Sequence, residues 1–162
     1  MKRSTWIAIW GATVLLAILL VMWRVAATPT LPEEQVVRDR IEEIRQAIEE
    51  RKLNALMDSI SSDFNAFGYS RDRLRIEIAS AFRRGIQPSL RYTPPVINII
   101  GKEATVNTRV EVWWEEQGLV SRHEPTDIQI RMRKEPARKW LVFPTEKWRV
   151  VEVEGMSVDG LE

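Results

Sequence analysis

The chain has 162 residues, 44% of them hydrophobic and 29% charged, which is room for one domain of ordinary size behind an N-terminal segment and not for a second. Setting aside Lys2, Arg3 and Arg24 leaves 24 − 3 = 21 basic residues against 23 acidic ones, and a body at about −2 lacks the concentrated basic field that a nucleic-acid partner requires. There is no cysteine and His123 is the only histidine; disulfides, thiolate sites and histidine-rich metal sites are excluded, no carboxylate cluster suggests a metal, and no cofactor is expected.

From Ser4 to Trp23 the chain is uncharged. Trp6 to Trp23, WIAIWGATVLLAILLVMW, is as long as a helix rising ~1.5 Å per residue needs to cross a ~30 Å hydrocarbon core. The pattern predicts one transmembrane helix with Trp6, Trp10 and Trp23 in the interfacial belts. Lys2, Arg3 and the amino terminus outnumber Arg24, so the positive-inside bias puts the N-terminus in the cytoplasm and the rest of the chain outside a cell membrane. A cleaved signal peptide is the competing reading: Val25-Ala26-Ala27 offers small residues at a cleavage site, and the product would be secreted. The anchor is preferred because the apolar run exceeds an h-region of ~7–15 residues. The expected organisation is an anchor over 1–27, a linker over 28–31, an α+β domain over 32–156 and a loose tail over 157–162.

Thr30-x-x-Glu33 with Pro32 reads as a capping box opening a helix. Val37, Ile41, Ile44 and Ile48 lay an apolar stripe along it, with Glu42, Glu43, Arg45, Glu49, Glu50 and Arg51 expected in water. Asn54 can cap a short second helix carrying Leu56, Met57 and Ile60, broken at Ser61-Ser62-Asp63 before Phe64 and Phe67. Ser70 can cap a third, with Leu74, Ile78, Ala81 and Phe82 inward and Gly85 and Pro88 at its close.

After Pro88 the period changes to two. Val96–Ile100, a turn at Gly101-Lys102, and Ala104, Val106, Thr108, Val110, Val112 and Trp114 at alternate positions describe a long hairpin. Glu115-Glu116-Gln117-Gly118 supplies the next turn, Pro125 marks an irregularity, and Ile128, Ile130 and Met132 alternate in the following strand. Glu135-Pro136-Ala137-Arg138 reads as a turn before strands at Lys139–Phe143 and Trp148–Val153. The basic run Arg131, Arg133, Lys134, Arg138, Lys139 reads as a solvated hairpin face. Three helices followed by an antiparallel meander of about four to six strands make an α+β fold, one strongly curved sheet packed against the helices.

This order of elements resembles the nuclear transport factor 2-like superfamily, also called the cystatin-like or SnoaL-like fold. The resemblance covers roughly Leu31 to Met156. It rests on the long first helix, the Asn54–Ile60 helix ending in Ser62-Asp63-Phe64, Phe82-Arg83-Arg84-Gly85, the hairpin at 99–106, and Lys139-Trp140-Leu141-Val142 with Trp148-Arg149-Val150. It implies a cone-shaped pocket that members use for isomerisation, cyclisation, dehydration, epoxide opening or only for binding, and fold alone does not choose among these. The layout is also similar to an assembly-factor subunit of type IV secretion systems, which carries this fold outside a single transmembrane helix.

His123 and Asp127 stand four apart, which joins them on a helix but separates them on a strand. Tyr69 and Asp63 are further polar candidates for acid or base chemistry; a turn carboxylate and a tyrosine at a core boundary are the structural readings of the same residues. Trp113 and Trp114 are adjacent on one strand and must face opposite sides, so one lies on the nominally wet face and marks a covered surface, with Tyr92 a further binding candidate. The expectation is a membrane-tethered, non-catalytic binding or assembly module that engages a protein or a small apolar ligand, with homodimerisation through the sheet. The alternatives are an isomerase- or cyclase-like enzyme on a hydrophobic small molecule and a subunit of a secretion apparatus.

Overall fold

The computed structural model describes residues 31–66, 68–139 and 143–155, and all described helices and strands fall within the unit that begins at Glu33. The expected transmembrane helix, the linker to Thr30, Phe67, Trp140–Val142 and the tail from Met156 lie outside the described residues. Among the described residues no helix is long and apolar enough to cross a membrane.

Three helices come first: α1 (Glu33–Glu49), α2 (Leu53–Asp58) and α3 (Arg71–Arg83). Helix α1 buries Val37 and Ile41 from its stripe, with Ile44 and Ile48 packed against the same core. Helix α3 starts where Ser70 predicts, the serine side chain accepting from the Arg73 amide at 3.4 Å. Helix α2 does not use Asn54 as a cap. Lys52 occupies that position without a side-chain bond, and Asn54 lies within the first turn, accepting from Arg75 at 3.4 Å. Between α2 and α3 the two-residue strands β1 (Asn65–Ala66) and β2 (Tyr69–Ser70) form a miniature hairpin that burial of Phe64 and Ala66 ties to the core.

The six remaining strands make one antiparallel sheet: β3 (Gln87–Tyr92), β4 (Val96–Ile100), β5 (Glu103–Glu116), β6 (Leu119–Arg122), β7 (Thr126–Lys139) and β8 (Phe143–Glu154). Strand β5 is its axis, paired with β3 and β4 along one side and with β6 and β7 along the other. The register explains the curvature. On one side three residues, Thr93 to Pro95, span the gap between the Tyr92–Val110 and Val96–Asn107 pairs, opposite only Thr108 and Arg109. On the other, His123 to Pro125 span the gap between Arg122–Trp113 and Thr126–Val110, opposite only Glu111 and Val112. Each side thus carries one extra residue, the first before Val110 and the second after it, and such bulges bend a sheet and increase its twist. Pro94, Pro95 and Pro125 have no N–H to offer a ladder and fit where pairing is interrupted. The amides of Thr93 and His123 still bond to Arg109 (3.0 Å) and Val112 (2.8 Å), pinning both bulges to β5.

Alternation divides the sheet into two faces. Ala104, Val106, Thr108 and Val110 of β5, Ile128 and Met132 of β7, and Trp148 and Val150 of β8 are buried on the inner face, with α1 and α2 over much of it. Burial of each valine, isoleucine or methionine among them contributes roughly 1.5–3 kcal/mol. The sheet's β8 edge is covered by the segment after α2: the Ser61 amide bonds to Val150 O at 2.9 Å and the Val150 amide to Ser59 O at 2.8 Å.

Two strand expectations are corrected. Pro88, expected to stop a helix, lies inside β3, an edge strand where a missing N–H is tolerated. Glu135-Pro136-Ala137-Arg138 is not a turn: β7 runs unbroken through it, pairing Pro136 with Glu146 of β8. Beyond Arg133 β7 has no β5 partner, so its open side accommodates a proline.

Candidate functional site

Two polar constellations stand out, one on each face. On the outer face the sheet register aligns Val96, Asn107, Gln129 and Glu154 in a single row across β4, β5, β7 and β8. The next row holds Arg109 and Asp127. Together with Pro94 and Gly155 these residues line an open depression of about 690 Å³. Its floor is internally paired: Gln129 donates to Asn107 Oδ1 at 3.0 Å, and Arg109 forks onto Asp127 at 2.9 and 2.8 Å. The Arg109 hydrogen bond holds the Asp127 carboxyl below its ordinary value, and Arg109 is raised in turn. One rim is apolar, since Val96 is 69% exposed and Ile100 on the same strand face 74%. At the other rim Gly155 has φ +93°, and a Cβ there would stand 2.4 Å from the Asp127 carbonyl oxygen.

On the inner face Glu42, Arg45 and Glu49 of α1 meet strand β3. The Tyr92 hydroxyl donates to Glu42 Oε2 at 2.9 Å, Arg45 donates to the same oxygen at 3.0 Å, and Gln46 to Glu42 Oε1 at 3.1 Å. The Arg45 hydrogen bond chiefly lowers the Glu42 carboxyl to about 2, burial opposing and Gln46 and Tyr92 assisting. Burial first, then the hydrogen bond and charge of Glu42, raises the Tyr92 hydroxyl. Glu49 accepts the Leu90 amide at 3.1 Å, so the helix satisfies an edge-strand donor. Glu42, Arg45 and Glu49, expected in water, are therefore half-buried and engaged. A signal for this exists in the sequence: Arg38, Glu42, Arg45 and Glu49 repeat the 4-3-4 spacing of the apolar stripe, displaced by one residue, and form the flank that β3 covers. Glu42 is acceptor-only and already holds three donors, a structural arrangement and a poor proton acceptor near neutrality.

The remaining candidates are scattered. His123 is half-buried and opens the bulge before β7, while Asp127 is taken by Arg109. Tyr69 lies in β2 with the Arg73 guanidinium 4.7 Å over its ring, and Asp63 accepts from Arg133 at 3.2 Å. Among the described residues no hydrogen bond joins any two of these four. Trp113 is on the outer face with the Arg91 guanidinium 5.1 Å from its ring, and Trp114 is on the inner face opposite Pro88 and Ser121; both are half-buried. No group of three or more His, Cys, Asp or Glu among the described residues could hold a metal. Of the basic run in β7, Arg131, Arg133 and Lys134 pair with Glu152, Asp63 and Glu33.

A hub that the sequence did not suggest sits at the end of α2. Asp58 receives Lys147 at 2.9 Å, Arg40 at 3.4 Å and Arg149 at 3.5 Å on its carboxylate. Burial pushes this carboxyl up, but the Lys147 hydrogen bond and the three positive charges outweigh it and leave it below the ordinary value.

No protein-family model and no curated protein matches the chain by sequence. Solved structures do. An NTF2-like protein with a cystatin-like fold from Novosphingobium aromaticivorans matches at 18% identity and TM-score 0.57, covering 91% of this chain and 90% of that one. An NTF2-like protein of unknown function in nutrient uptake from Rhodospirillum rubrum matches at 14% identity and TM-score 0.59 over 75% of this chain and 98% of that one. The fold is the cystatin-like, nuclear transport factor 2-like fold. Bd1075 of Bdellovibrio bacteriovorus matches at 14% identity and TM-score 0.56, and the chain spans 39% of its length. At these identities the nuclear transport factor 2-like architecture is what is shared. The bulged β5 axis and the helices α1 and α2 over the inner face are its realisation here.

Proposed function

We propose that the chain is a membrane-tethered, extracytoplasmic binding module that pairs with a second copy of itself through the outer face of its sheet. The observation that carries this reading is the row Val96–Asn107–Gln129–Glu154 beside the Arg109–Asp127 fork. Such a surface holds an exposed apolar edge together with donors and acceptors of both signs. Groups of both signs and an apolar edge on one patch let it meet itself about a twofold axis, where each contact between copies is made twice. Binding is favoured over turnover by the engagement of the polar candidates: Asp127, Asp63 and Glu42 each serve an arginine. The tether rests on the uncharged run Ser4–Trp23 and the excess of positive charge before it.

Carbonate washing of membranes and a reporter fused behind Glu162 test the tether. The reading expects a chain that resists carbonate and a reporter active only outside the cytoplasm. A chain stripped by carbonate, or a reporter active in the cytosol, contradicts it.

A further inference from the structure

Pairing of charges is the rule on this domain. Among the described side chains Arg38, Arg40, Arg45, Arg109, Arg122, Arg131, Arg133 and Arg149 all have a carboxylate within ion-pair distance. Most of the described arginines without one gather around α3; Arg71 at its start donates to the Ile60 and Met57 carbonyls, and Arg91 lies apart on β3, over the Trp113 ring. Arg73, Arg75 and Arg83 of α3 make no ion pair among the described residues, and neither does Arg51, whose guanidinium lies 5.8 Å from the Phe82 ring at the end of that helix. Among the described residues Arg84 pairs only with Glu116, at 3.7 Å. Four arginines, Arg73, Arg75, Arg83 and Arg84, are therefore spread along about 17 Å of helix and its adjoining turn, at ~1.5 Å per residue from position 73 to 84, with Arg51 beside the end of the helix. Asp72 and Glu77 are the acidic residues of the same helix.

The helix differs from α1 and α2 in a second respect. It has no buried residue, and Ile76 in its middle is 64% exposed. Leu74 and Ile78 rest on the core, and the outward side of the helix, with unpaired arginines near an exposed apolar residue, has the composition of a surface that lies on anionic lipid headgroups. We infer that α3, with Arg51, Arg73, Arg75, Arg83, Arg84 and Ile76, docks the domain onto an anionic membrane surface. The inference rests on the tether proposed above, which supplies the lipid. Only nine residues, 24–32, separate the apolar run from α1, and a chain of that length reaches at most about 30 Å. At such proximity a weak electrostatic contact suffices, because the second binding event is intramolecular. Unpaired arginines cost little in this setting, since headgroup phosphates take the place of carboxylates.

The chain has no cysteine, so Glu77→Cys introduces a single labelling site on α3. The full chain carrying a fluorophore there is reconstituted into vesicles of phosphatidylcholine alone or with phosphatidylglycerol, each with a trace of headgroup-nitroxide lipid. The expected result is quenching at least about twofold stronger in the anionic vesicles and reduced by high salt. Adding Arg73→Glu and Arg83→Glu removes the difference, with the helical circular dichroism unchanged. Equal quenching in both lipids, while the chain stays in carbonate-washed vesicles, overturns the docking and leaves the tether intact. Release of the chain by carbonate overturns the tether and the docking with it. A fluorophore that responds to soluble polyglutamate and not to phosphatidylglycerol assigns the face to an acidic protein instead and overturns the lipid assignment. Where the double variant fails to fold, the salt titration of the parent decides.

Discussion

Tyr92 and Glu42, 50 residues apart, meet where edge strand β3 lies along helix α1, the hydroxyl donating to the carboxylate at 2.9 Å. The contact ties the sheet to a helix flank that carries Arg45 and Glu49 as well. Tyr92→Phe keeps the ring and removes the donor, and is expected to lower stability by about 1 kcal/mol in denaturant unfolding. Glu42 is held down to about 2 from an ordinary 4.5, so its contribution is complete above pH 4.5 and is lost as pH falls toward 2. In Tyr92→Phe the acid loss is smaller and ends at higher pH, because the folded value of Glu42 moves toward the ordinary one while the onset stays where it was. Tyr92 itself is raised above 10, so its contribution is complete below that pH and is lost as pH rises through the folded value. A variant with unchanged stability and an unchanged acid limb contradicts this coupling.

Gly155 closes the outer depression with φ +93° and no room for a Cβ beside the Asp127 carbonyl. Gly155→Ala is expected to cost about 2 kcal/mol or more, because both the backbone region and the space are forbidden. Gly101 has φ +61° in open solvent, and Gly101→Ala is expected to cost only about 1 kcal/mol. Thermal unfolding of the two variants side by side tests the order, and equal losses would contradict the crowding at Gly155.

Asp58→Ala strips the shared carboxylate from Lys147, Arg40 and Arg149. A loss of about 1–2 kcal/mol is expected, from donors left unsatisfied at a half-exposed site. Asp58 lies below its ordinary 3.8 in the fold, so its share of stability is present above that pH and disappears as pH falls through the folded value. Denaturant unfolding at pH 7 and pH 3 checks this: the gap between parent and variant should narrow at the lower pH.

Much of the fold was readable because the core follows simple periods. The Val37–Ile41–Ile44–Ile48 stripe and the even-numbered residues of β5 place helix and sheet without tertiary information. Ser70 and Pro125 marked a cap and a bulge for local reasons that survive in the fold. What was missed depends on partners distant in sequence. Pro136 signals a turn, and only the absence of a β5 neighbour at that height lets a strand run through it. Glu42 looks like a solvated helix charge until β3 arrives with Tyr92. The Asp58 hub joins residues 89 and 91 positions apart, for which the sequence carries no pattern. Of the site candidates, Asp127 lies in the outer depression and Tyr92 in the inner cluster, whereas His123, Tyr69 and Asp63 stand apart from both.

The pairing of two copies through the outer face is tested most directly by sedimentation velocity of the full chain in detergent, compared with Val96→Glu. The account predicts a dimer for the parent and a monomer for the variant, since the new carboxylate would add to Asp127 and Glu154 in a face that must meet itself. A parent that is monomeric at every concentration, or a dimer that Val96→Glu leaves untouched, would contradict it.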